Sequence, residues 1–247
     1  MARISKISWT EATWNPWVCC HKKSPGCAHC YAERWAKRTG RDFDVVTRTK
    51  PGTFQGPLHW DKLGDRPLRI FSCSLSDFFI EEADPWREEA WDIIRNTHHL
   101  YMLLTKRPER ISQCLPSDWP LENVELGVSV ESPDFLVRIH SLRAIEVKRI
   151  FVSAEPLLAA LSLRPYLGDP YTGRPLDGVI VGGESGPGFR IMEEAWARAL
   201  KNECRETNTA FFFKQHSAAR PGMEPYLDGN IYEAMPGEGF KEVFLDE

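Results

Sequence analysis

Residues 19–31 read Cys19-Cys20-His21-Lys22-Lys23-Ser24-Pro25-Gly26-Cys27-Ala28-His29-Cys30-Tyr31. Three of these cysteines, Cys20, Cys27 and Cys30, have the spacing C-x6-C-x2-C. The longer gap contains Ser24-Pro25-Gly26, a strong turn signal that can bring Cys20 back to the two later thiols. We therefore expect the three sulfur atoms to converge on one point, as metal ligands do.

Helix-forming residues follow these thiols at once, from Tyr31 to Arg38. Cys27 and Cys30 are thus predicted to lie just before or within the first turn of a helix. The helix dipole and the free N–H groups at such a position favour thiolates, the form of cysteine that binds metal.

Three identities are open for this thiol group. Three sulfurs without a clear fourth protein ligand suit a [4Fe–4S] cluster with one open iron. Zinc requires a fourth donor, which His21, His29 or Cys19 could supply. The third alternative is a disulfide or a set of inert thiols.

The composition sets limits on the class of protein. The chain has 247 residues, of which 42% are hydrophobic, so one large domain or two small ones with a sizeable core are expected. A net charge of -4 gives no global basic footprint, so any nucleic-acid partner must be held by a local patch. No stretch approaches the roughly 20 apolar residues of a membrane span.

The cysteine usage indicates the compartment. The N-terminus lacks the apolar core of a signal peptide, and seven cysteines are an odd number. Both features fit a reducing cytosol, where clustered cysteines more often bind metal than form disulfides. We therefore predict a cytoplasmic protein without a membrane partner.

Short apolar runs alternate with helical stretches along most of the chain. Each run has the length and the β-branched or aromatic content of a buried parallel strand. The runs are Leu68–Ser72, His99–Leu104, Val124–Val130, Arg149–Ser153, Gly178–Gly183 and Ala210–Phe213, and Ile4–Thr13 is a further candidate. The helix candidates are Pro85–Asn96, Pro108–Cys114, Pro133–Ala144 and Glu193–Glu206.

This alternation predicts an α/β fold: a partial (β/α) barrel of about six to seven parallel strands, with the cysteine-rich loop after the first strand. A doubly wound open sheet is the alternative. Residues 1–216 are assigned to the barrel, and residues 217–247 to an extension that wraps it, with turns at Asp228-Gly229 and Pro236-Gly237.

An ionisable residue follows each of the six runs within a few positions. Because the C-terminal ends of barrel strands converge on one face, we expect these residues and the thiol loop to line a polar cavity there. The alternative is that strands simply end at a charged surface. The residues are Asp77, Lys106 with Arg107, Glu131, Glu155, Glu184, and Lys214 with Gln215.

Two of these strand ends carry local motifs. Gly182-Gly183-Glu184 opens a glycine-rich turn, which lets the backbone approach a ligand closely and exposes N–H groups to an anion. Lys106-Arg107 places two cations at a helix start, which suits a carboxylate or a phosphate, although a solvated pair is equally expected.

Residues 45–65 interleave basic and aromatic side chains and contain few structure formers. Such a loop could clasp a nucleic-acid strand or a nucleotide. Alternatively, its aromatic residues pack into the core. The residues concerned are Arg48, Lys50, Phe54, His59, Trp60 and Lys62.

Several pieces of the sequence together resemble a known family. They are WTEATWNP, CYAERWAKR with its preceding cysteines, SCSLSDFF, LLTKRPER, VSAEPLL, VIVGGESGPGFR, FFFKQ and LDGNIYEAMP. The family is the phage- and bacteria-associated three-Cys-motif family of unknown function, whose genes often lie beside that of a methyltransferase-like partner. Its members are similar to radical S-adenosylmethionine (SAM) enzymes.

The resemblance implies that Cys20, Cys27 and Cys30 hold a [4Fe–4S] cluster whose fourth iron chelates SAM, and that an electron donor is a partner. Two features depart from the usual radical SAM pattern. The first cysteine gap is six residues instead of three, and Gly-Gly-Glu does not follow the second strand but appears later, at Gly182–Glu184.

The resulting hypothesis is an enzyme that cleaves SAM reductively and abstracts hydrogen from an unknown substrate, with a nucleic acid or nucleotide expected first. The residues assigned to SAM and the substrate are Asp77, Lys106, Arg107, Glu131, Glu155, Gly182, Gly183 and Glu184, with Glu155, Glu184 and Lys106 as catalytic candidates. The alternatives are a zinc-stabilised module that binds nucleic acid or protein, and a hydrolase that uses Glu155 and Glu184 as acid and base.

Overall fold

The computed structural model describes residues 5–64, 66–168, 173–223 and 225–244. The chain divides into two compact units. The first comprises Met1–Leu126 with Ile145–Lys148, and the second comprises Gly127–Ala144 with Arg149–Glu247. None of the described helices is both long and apolar enough to cross a bilayer.

The first unit contains parallel strands, a small antiparallel ribbon and four helices. Its strands are β1 (Ala12–Trp14), β2 (Trp17–Val18), β3 (Thr47–Arg48), β4 (Arg69–Ser72), β5 (Leu100–Thr105) and the start of β6 (Val124–Ser129). Its helices are α1 (Tyr31–Arg38), α2 (Pro51–Phe54), α3 (Gly56–Lys62) and α4 (Asp84–Arg95). Strand β4 pairs in parallel with β1 and with β5, and β2 pairs antiparallel with β3.

Aromatic packing explains why these short strands hold together. The Trp14 ring lies edge-on to Tyr101, with 5.7 Å between ring centroids, and its Nε1 donates to the carbonyl of Phe54 at 2.8 Å. On β4, Phe71 packs against Trp9 at 4.6 Å. Because each strand is covered by large apolar side chains, the apolar runs seen in the sequence are what a buried parallel sheet requires.

The segment of residues 45–65 packs into this core. Phe54 is fully buried, and the Arg48 guanidinium lies 4.1 Å from the Phe54 ring centroid while it pairs with Glu89. The expectation of a segment with little regular structure was wrong, because β3, α2 and α3 lie in it. The alternative, in which aromatic residues of this segment pack into the core, holds for Phe54, whose ring Arg48 contacts.

In the part of the second unit that the structure describes, there are three further parallel strands, two helices and a small sheet. These are α5 (Val137–Arg143), β7 (Arg149–Ala154), β8 (Gly178–Gly182), α6 (Glu194–Glu206), β9 (Ala210–Gln215), β10 (Tyr226–Leu227), β11 (Asn230–Ile231) and β12 (Val243–Phe244). Strand β8 pairs in parallel with β7 and with β9, and β10, β11 and β12 form an antiparallel sheet. Arg198 and Lys201 of α6 bind Asp228, which lies in the turn between β10 and β11.

The main sheet has seven strands in the order β1-β4-β5-β6-β7-β8-β9. The six strands predicted from the apolar runs are confirmed to within two residues at either end. Two helix predictions were wrong in part. Residues 108–114 form two short 3-10 turns, Pro108–Arg110 and Ser112–Cys114, and a 3-10 turn at Pro133–Phe135 precedes α5.

Gly127 of β6 lies so close to Phe151 of β7 that the effect of adding one methyl group there can be predicted. A Cβ on Gly127 in β6 would lie 2.3 Å from the Phe151 ring, so Gly127→Ala must displace a buried aromatic side chain. We expect it to lower the free energy of unfolding by about 1–3 kcal/mol, the usual range for overpacking. Denaturant unfolding followed by circular dichroism measures this.

The matched control is Gly52→Ala in α2, where an added Cβ meets nothing within 4 Å. That variant is expected to be neutral or slightly stabilising, because alanine restricts the unfolded chain at no steric cost. Equal unfolding free energies for the two variants would contradict the tight contact between Gly127 and Phe151.

Candidate functional site

The thiol loop is shaped by two local backbone features. Cys19 has a φ of 74°, an uncommon left-handed conformation for a side chain larger than glycine. Its N–H donates to the Leu75 carbonyl, and the N–H of Cys20 donates to the Phe43 carbonyl, both at 2.9 Å. A 3-10 turn over Pro25–Cys27 then leads to Cys30, the N-cap of α1. The turn and the helix start predicted from the sequence are confirmed.

Polar groups lie near each of the three sulfurs. Arg107 Nη1 lies 3.6 Å from Cys20 Sγ, and Ser24 Oγ lies 3.9 Å from Cys27 Sγ. Cys30 is the N-cap of α1, where burial raises its pKa although the backbone N–H groups of residues 32 and 33 act to lower it. Cys27 interacts electrostatically with both Cys20 and Cys30. The three thiols therefore form one coupled group.

Burial controls the protonation of these thiols. It raises the pKa of the Cys20 thiol to about 12, and the Asp77 charge adds to the increase, whereas Arg107 opposes it. Burial also raises the pKa of Cys30, against the effect of the helix N–H groups. Without a bound cation these two sulfurs are therefore thiols at neutral pH, and a cation must displace their protons.

Zinc and an iron–sulfur cluster place different demands on the spacing of the three sulfurs. Among the residues that the structure describes, no three His, Cys, Asp or Glu side chains form a group that could hold one metal ion. Tetrahedral zinc with bonds of 2.3 Å draws its sulfurs to within about 3.8 Å of one another. In a cluster each cysteine binds a different iron, so the sulfurs stand further apart. The single-ion site that the thiol spacing predicted is therefore not found among the described residues, and a cluster at the three cysteines stays a prediction.

Two of the candidate fourth zinc ligands have other partners. Cys19 packs with Val18 and Ala36 in a hydrophobic cluster. The ring of His21 contacts Glu82 through Nε2 and lies 3.7 Å from Asp44 through Nδ1. A zinc site that used either residue would have to break these contacts.

Asp77 and Arg107, both assigned to the site from the sequence, come together with the thiol loop. Asp77 follows β4, and its carboxylate accepts from Thr105 Oγ1 at 2.7 Å and from Arg107 Nη1 at 3.1 Å. Arg107 Nη2 donates to the His21 carbonyl at 2.9 Å. Burial acts to lower the pKa of Arg107, but Asp77 and Cys20 outweigh it and the pKa is raised.

Lys106 lies at the same strand end. Its backbone N–H donates to Asp77 Oδ2 at 3.0 Å, and its ammonium group acts on Cys30. Of the two cations predicted to meet an anionic group, Arg107 therefore contacts a cysteine of the loop, and Lys106 acts on another through its charge.

The strand-end carboxylates of the second unit each have a cationic partner. Glu131 is fully buried and pairs with Arg138 at 2.9 Å, and Glu155 pairs with Lys214 at 2.7 Å. Glu184 accepts from Arg190 through the backbone N–H and Nε, both at 2.9 Å. These three pairs lie at the ends of β6, β7 and β8, where the sequence predicted ionisable groups.

Both glycines of the Gly182-Gly183-Glu184 motif are closely packed within the second unit, and the packing at Gly183 is against backbone. A Cβ on Gly182 would lie 2.9 Å from Glu155 Oε1, and one on Gly183 would lie 2.3 Å from the backbone nitrogen of Ser217. Their predicted contact with a cofactor stays a prediction.

Sequence reasoning missed three partners in these networks, namely Thr105, Arg138 and Arg190. Arg190 ends the VIVGGESGPGFR piece quoted above, so its place in that motif was a usable signal. Arg138 lies seven residues after Glu131, about two helical turns, but α5 begins only at Val137. No local pattern therefore indicated that pair.

A parallel sheet of seven strands with a thiol loop after its first strand defines an α/β protein of the partial-barrel class. Two solved structures of spore photoproduct lyase, a radical SAM enzyme, are similar to it. A cysteine-to-serine mutant matches with a TM-score of 0.54 at 15% identity, over 98% of this chain and 70% of that chain. A complex with dinucleoside spore photoproduct matches with a TM-score of 0.50 at 13% identity, over 93% and 67%. This likeness confirms the predicted fold class.

The chain belongs to the family DUF5131, described as a protein of unknown function, which residues 4–236 match. None of the curated proteins matches it significantly.

The ion pair of Glu184 with Arg190 predicts a stability effect. Glu184→Ala removes a buried carboxylate that accepts several hydrogen bonds, and we expect it to lower the free energy of unfolding by about 1–3 kcal/mol. The control is Glu194→Ala, which breaks an exposed pair with Arg198 at 3.4 Å and is expected to change stability by less than about 0.5 kcal/mol. Denaturant titration compares the two, and equal losses would contradict a structural role for Glu184.

The raised pKa of Cys20 predicts a pH dependence for the metal-free protein. Unfolding returns this thiol from a pKa of about 12 to its ordinary value of 9.0, so the unfolded chain loses its proton first. Stability is therefore expected to fall as pH rises from 9 towards 12. Urea unfolding at pH 8 and pH 10 measures this, and Cys20→Ala should show a smaller loss. An identical loss in that variant would exclude Cys20 as a contributor.

Proposed function

We propose that this protein is a radical SAM-type enzyme in which Cys20, Cys27 and Cys30 hold a [4Fe–4S] cluster. The observation that carries the proposal is the coupled trio of thiols, with Arg107 Nη1 donating to the Cys20 sulfur, after the first strand of a fold similar to that of a radical SAM enzyme. When bound, the cluster supplies the electron for cleavage of SAM and for hydrogen abstraction from a substrate.

The residues of this chain contribute positioning and electrostatics. The three cysteines provide thiolates, and the helix N–H groups at residues 32 and 33 stabilise negative charge on Cys30. Arg107 and Lys106 add positive charge beside Cys20 and Cys30. Asp77 fixes Arg107 and the backbone of Lys106, so that the two cations keep their places.

Glu131, Glu155 and Glu184, with Gly182 and Gly183, remain candidates for binding SAM or the substrate. Because each carboxylate pairs with a cation, binding of a ligand amino group there requires that the cation be displaced or shared. The catalytic roles proposed for Glu155 and Glu184 depend on such an exchange, whereas Lys106, also proposed as catalytic, is itself a cation.

A nucleic acid or a nucleotide is the substrate class that we propose first. Support comes from the complex of spore photoproduct lyase with a dinucleoside spore photoproduct, a ligand held by a protein of similar fold. An electron donor is a required partner, and the methyltransferase-like neighbouring-gene product is a further one to test. A cytoplasmic location follows from the need to keep the thiols reduced.

The decisive experiment is metal analysis of protein purified without oxygen. We expect a brown protein with iron and sulfide, an electron paramagnetic resonance signal after reduction that changes when SAM is added, and formation of 5′-deoxyadenosine. Cys20→Ala should lose the colour and the SAM cleavage. The control is Cys204→Ala, in which the lost thiol is buried in α6 of the second unit.

A wild-type protein that is colourless and holds stoichiometric zinc would favour the alternative, a zinc-stabilised module that binds nucleic acid or protein. The contacts of Cys19 and His21 with other groups argue against that alternative. A hydrolase that uses Glu155 and Glu184 ranks last, because both carboxylates have cationic partners and the thiols would have no role.

A further inference from the structure

Arg107 is committed to protein groups. It is only 4% exposed, and its guanidinium donates to Asp77 Oδ2 at 3.1 Å, to the His21 carbonyl at 2.9 Å and to Cys20 Sγ at 3.6 Å. Two of these three acceptors belong to the thiol loop itself. The side chain is therefore buried against the thiol loop and is not exposed to a diffusing ligand.

Asp77 is itself fixed by several donors. Oδ1 accepts from Thr105 Oγ1 and from the Phe79 N–H at 2.9 Å, and Oδ2 accepts from the Lys106 N–H as well as from Arg107. Trp17 Nε1 donates to the Asp77 carbonyl at 3.0 Å. A carboxylate held at this many points gives Arg107 a rigid support, so the guanidinium keeps one position relative to Cys20.

We propose that Arg107 is a positioning residue that fixes the Cys20 sulfur and raises the reduction potential of the cluster that this sulfur helps to hold. The inference rests on the proposed function. It differs from the sequence-based assignment of Arg107 to SAM or to a substrate anion, because it gives the guanidinium a protein sulfur as its target.

The physical reason is electrostatic. Reduction adds a negative charge to the cluster and its sulfurs, and a buried cation with an N–H directed at one sulfur stabilises that charge. The effect is large where few water molecules screen it. Asp77 offsets part of the positive charge, but Nη1 of the guanidinium contacts the sulfur directly as well as that carboxylate.

The test compares Arg107→Gln, Arg107→Lys and wild type, each purified without oxygen and checked for iron and sulfide. A dithionite titration with redox mediators, followed by the paramagnetic signal of the reduced cluster without SAM, gives the potential. For Arg107→Gln we expect about a tenfold smaller equilibrium constant for one-electron reduction, which equals a fall of about 59 mV. Lysine keeps the charge but not the fork of donors, so Arg107→Lys is expected to lose about threefold.

The matched control is Arg87→Gln. Arg87 is also a buried arginine of the first unit, and it donates to the carbonyls of Phe78 and Ile80 and pairs with Asp84. We expect its loss to reduce stability but to leave the potential unchanged. A fall of the same size in this variant would show a general effect of losing a buried arginine and would overturn the inference.

The outcomes separate the inference from the proposed function. A wild-type protein without iron contradicts the proposed function, and the inference with it. A wild-type protein with a full cluster, together with an iron-loaded Arg107→Gln of unchanged potential, overturns the inference alone. If Arg107→Gln does not fold, Arg107→Lys decides instead, because an iron-loaded lysine variant with the wild-type potential would contradict the expected threefold loss and overturn the inference.

Discussion

The buried ion pair between Asp77 and Arg107 is the interaction on which the thiol group of the first unit depends. It connects the end of β4 to the end of β5, and through Arg107 it reaches the backbone of His21 and the sulfur of Cys20. Loss of one partner would leave an uncompensated buried charge, which typically costs about 3–5 kcal/mol. The same contacts that hold the two strand ends together therefore also place the first cysteine of the loop.

The second unit uses a similar arrangement at its own strand ends. Glu131 pairs with Arg138, which also donates to the Ser129 carbonyl and lies 4.3 Å from the Phe135 ring. Glu184 pairs with Arg190 six residues later and so closes its own loop. Buried carboxylates are tolerated only when charge and hydrogen bonds are satisfied, and a cation beside each one meets both needs. Charged groups at strand ends therefore stabilise the fold, whether or not they also bind a ligand.

The sequence predicted the strands well because strands that are buried on both faces leave an apolar signature that needs no knowledge of partners. It failed where tertiary packing overrides local propensity. Residues 51–57 carry two prolines and two glycines and look like a loop, yet Pro51 and Pro57 lie in first turns, where proline is tolerated, and Phe54 is drawn into the core beside Trp14. Conversely, the sequence of residues 108–114 predicts a helix, but two 3-10 turns form there and end at Leu115. Leu115 precedes Pro116 and has the extended conformation that proline imposes on the residue before it.

For the site, residue types were predictable and partners were not. A charge at the end of a strand is visible in the sequence, but the contact of Asp77 with Arg107 depends on the register between β4 and β5, in which Ser72 lies opposite Leu103. The choice between the adjacent Cys19 and Cys20 depends on one backbone angle. With its φ of 74°, Cys19 packs its side chain beside Val18 and Ala36, whereas Cys20 lies against Arg107. Two backbone hydrogen bonds and a hydrophobic cluster maintain this less common conformation at Cys19. As a result, the Cys19 thiol lies in the core, and the Cys20 thiol belongs to the coupled group.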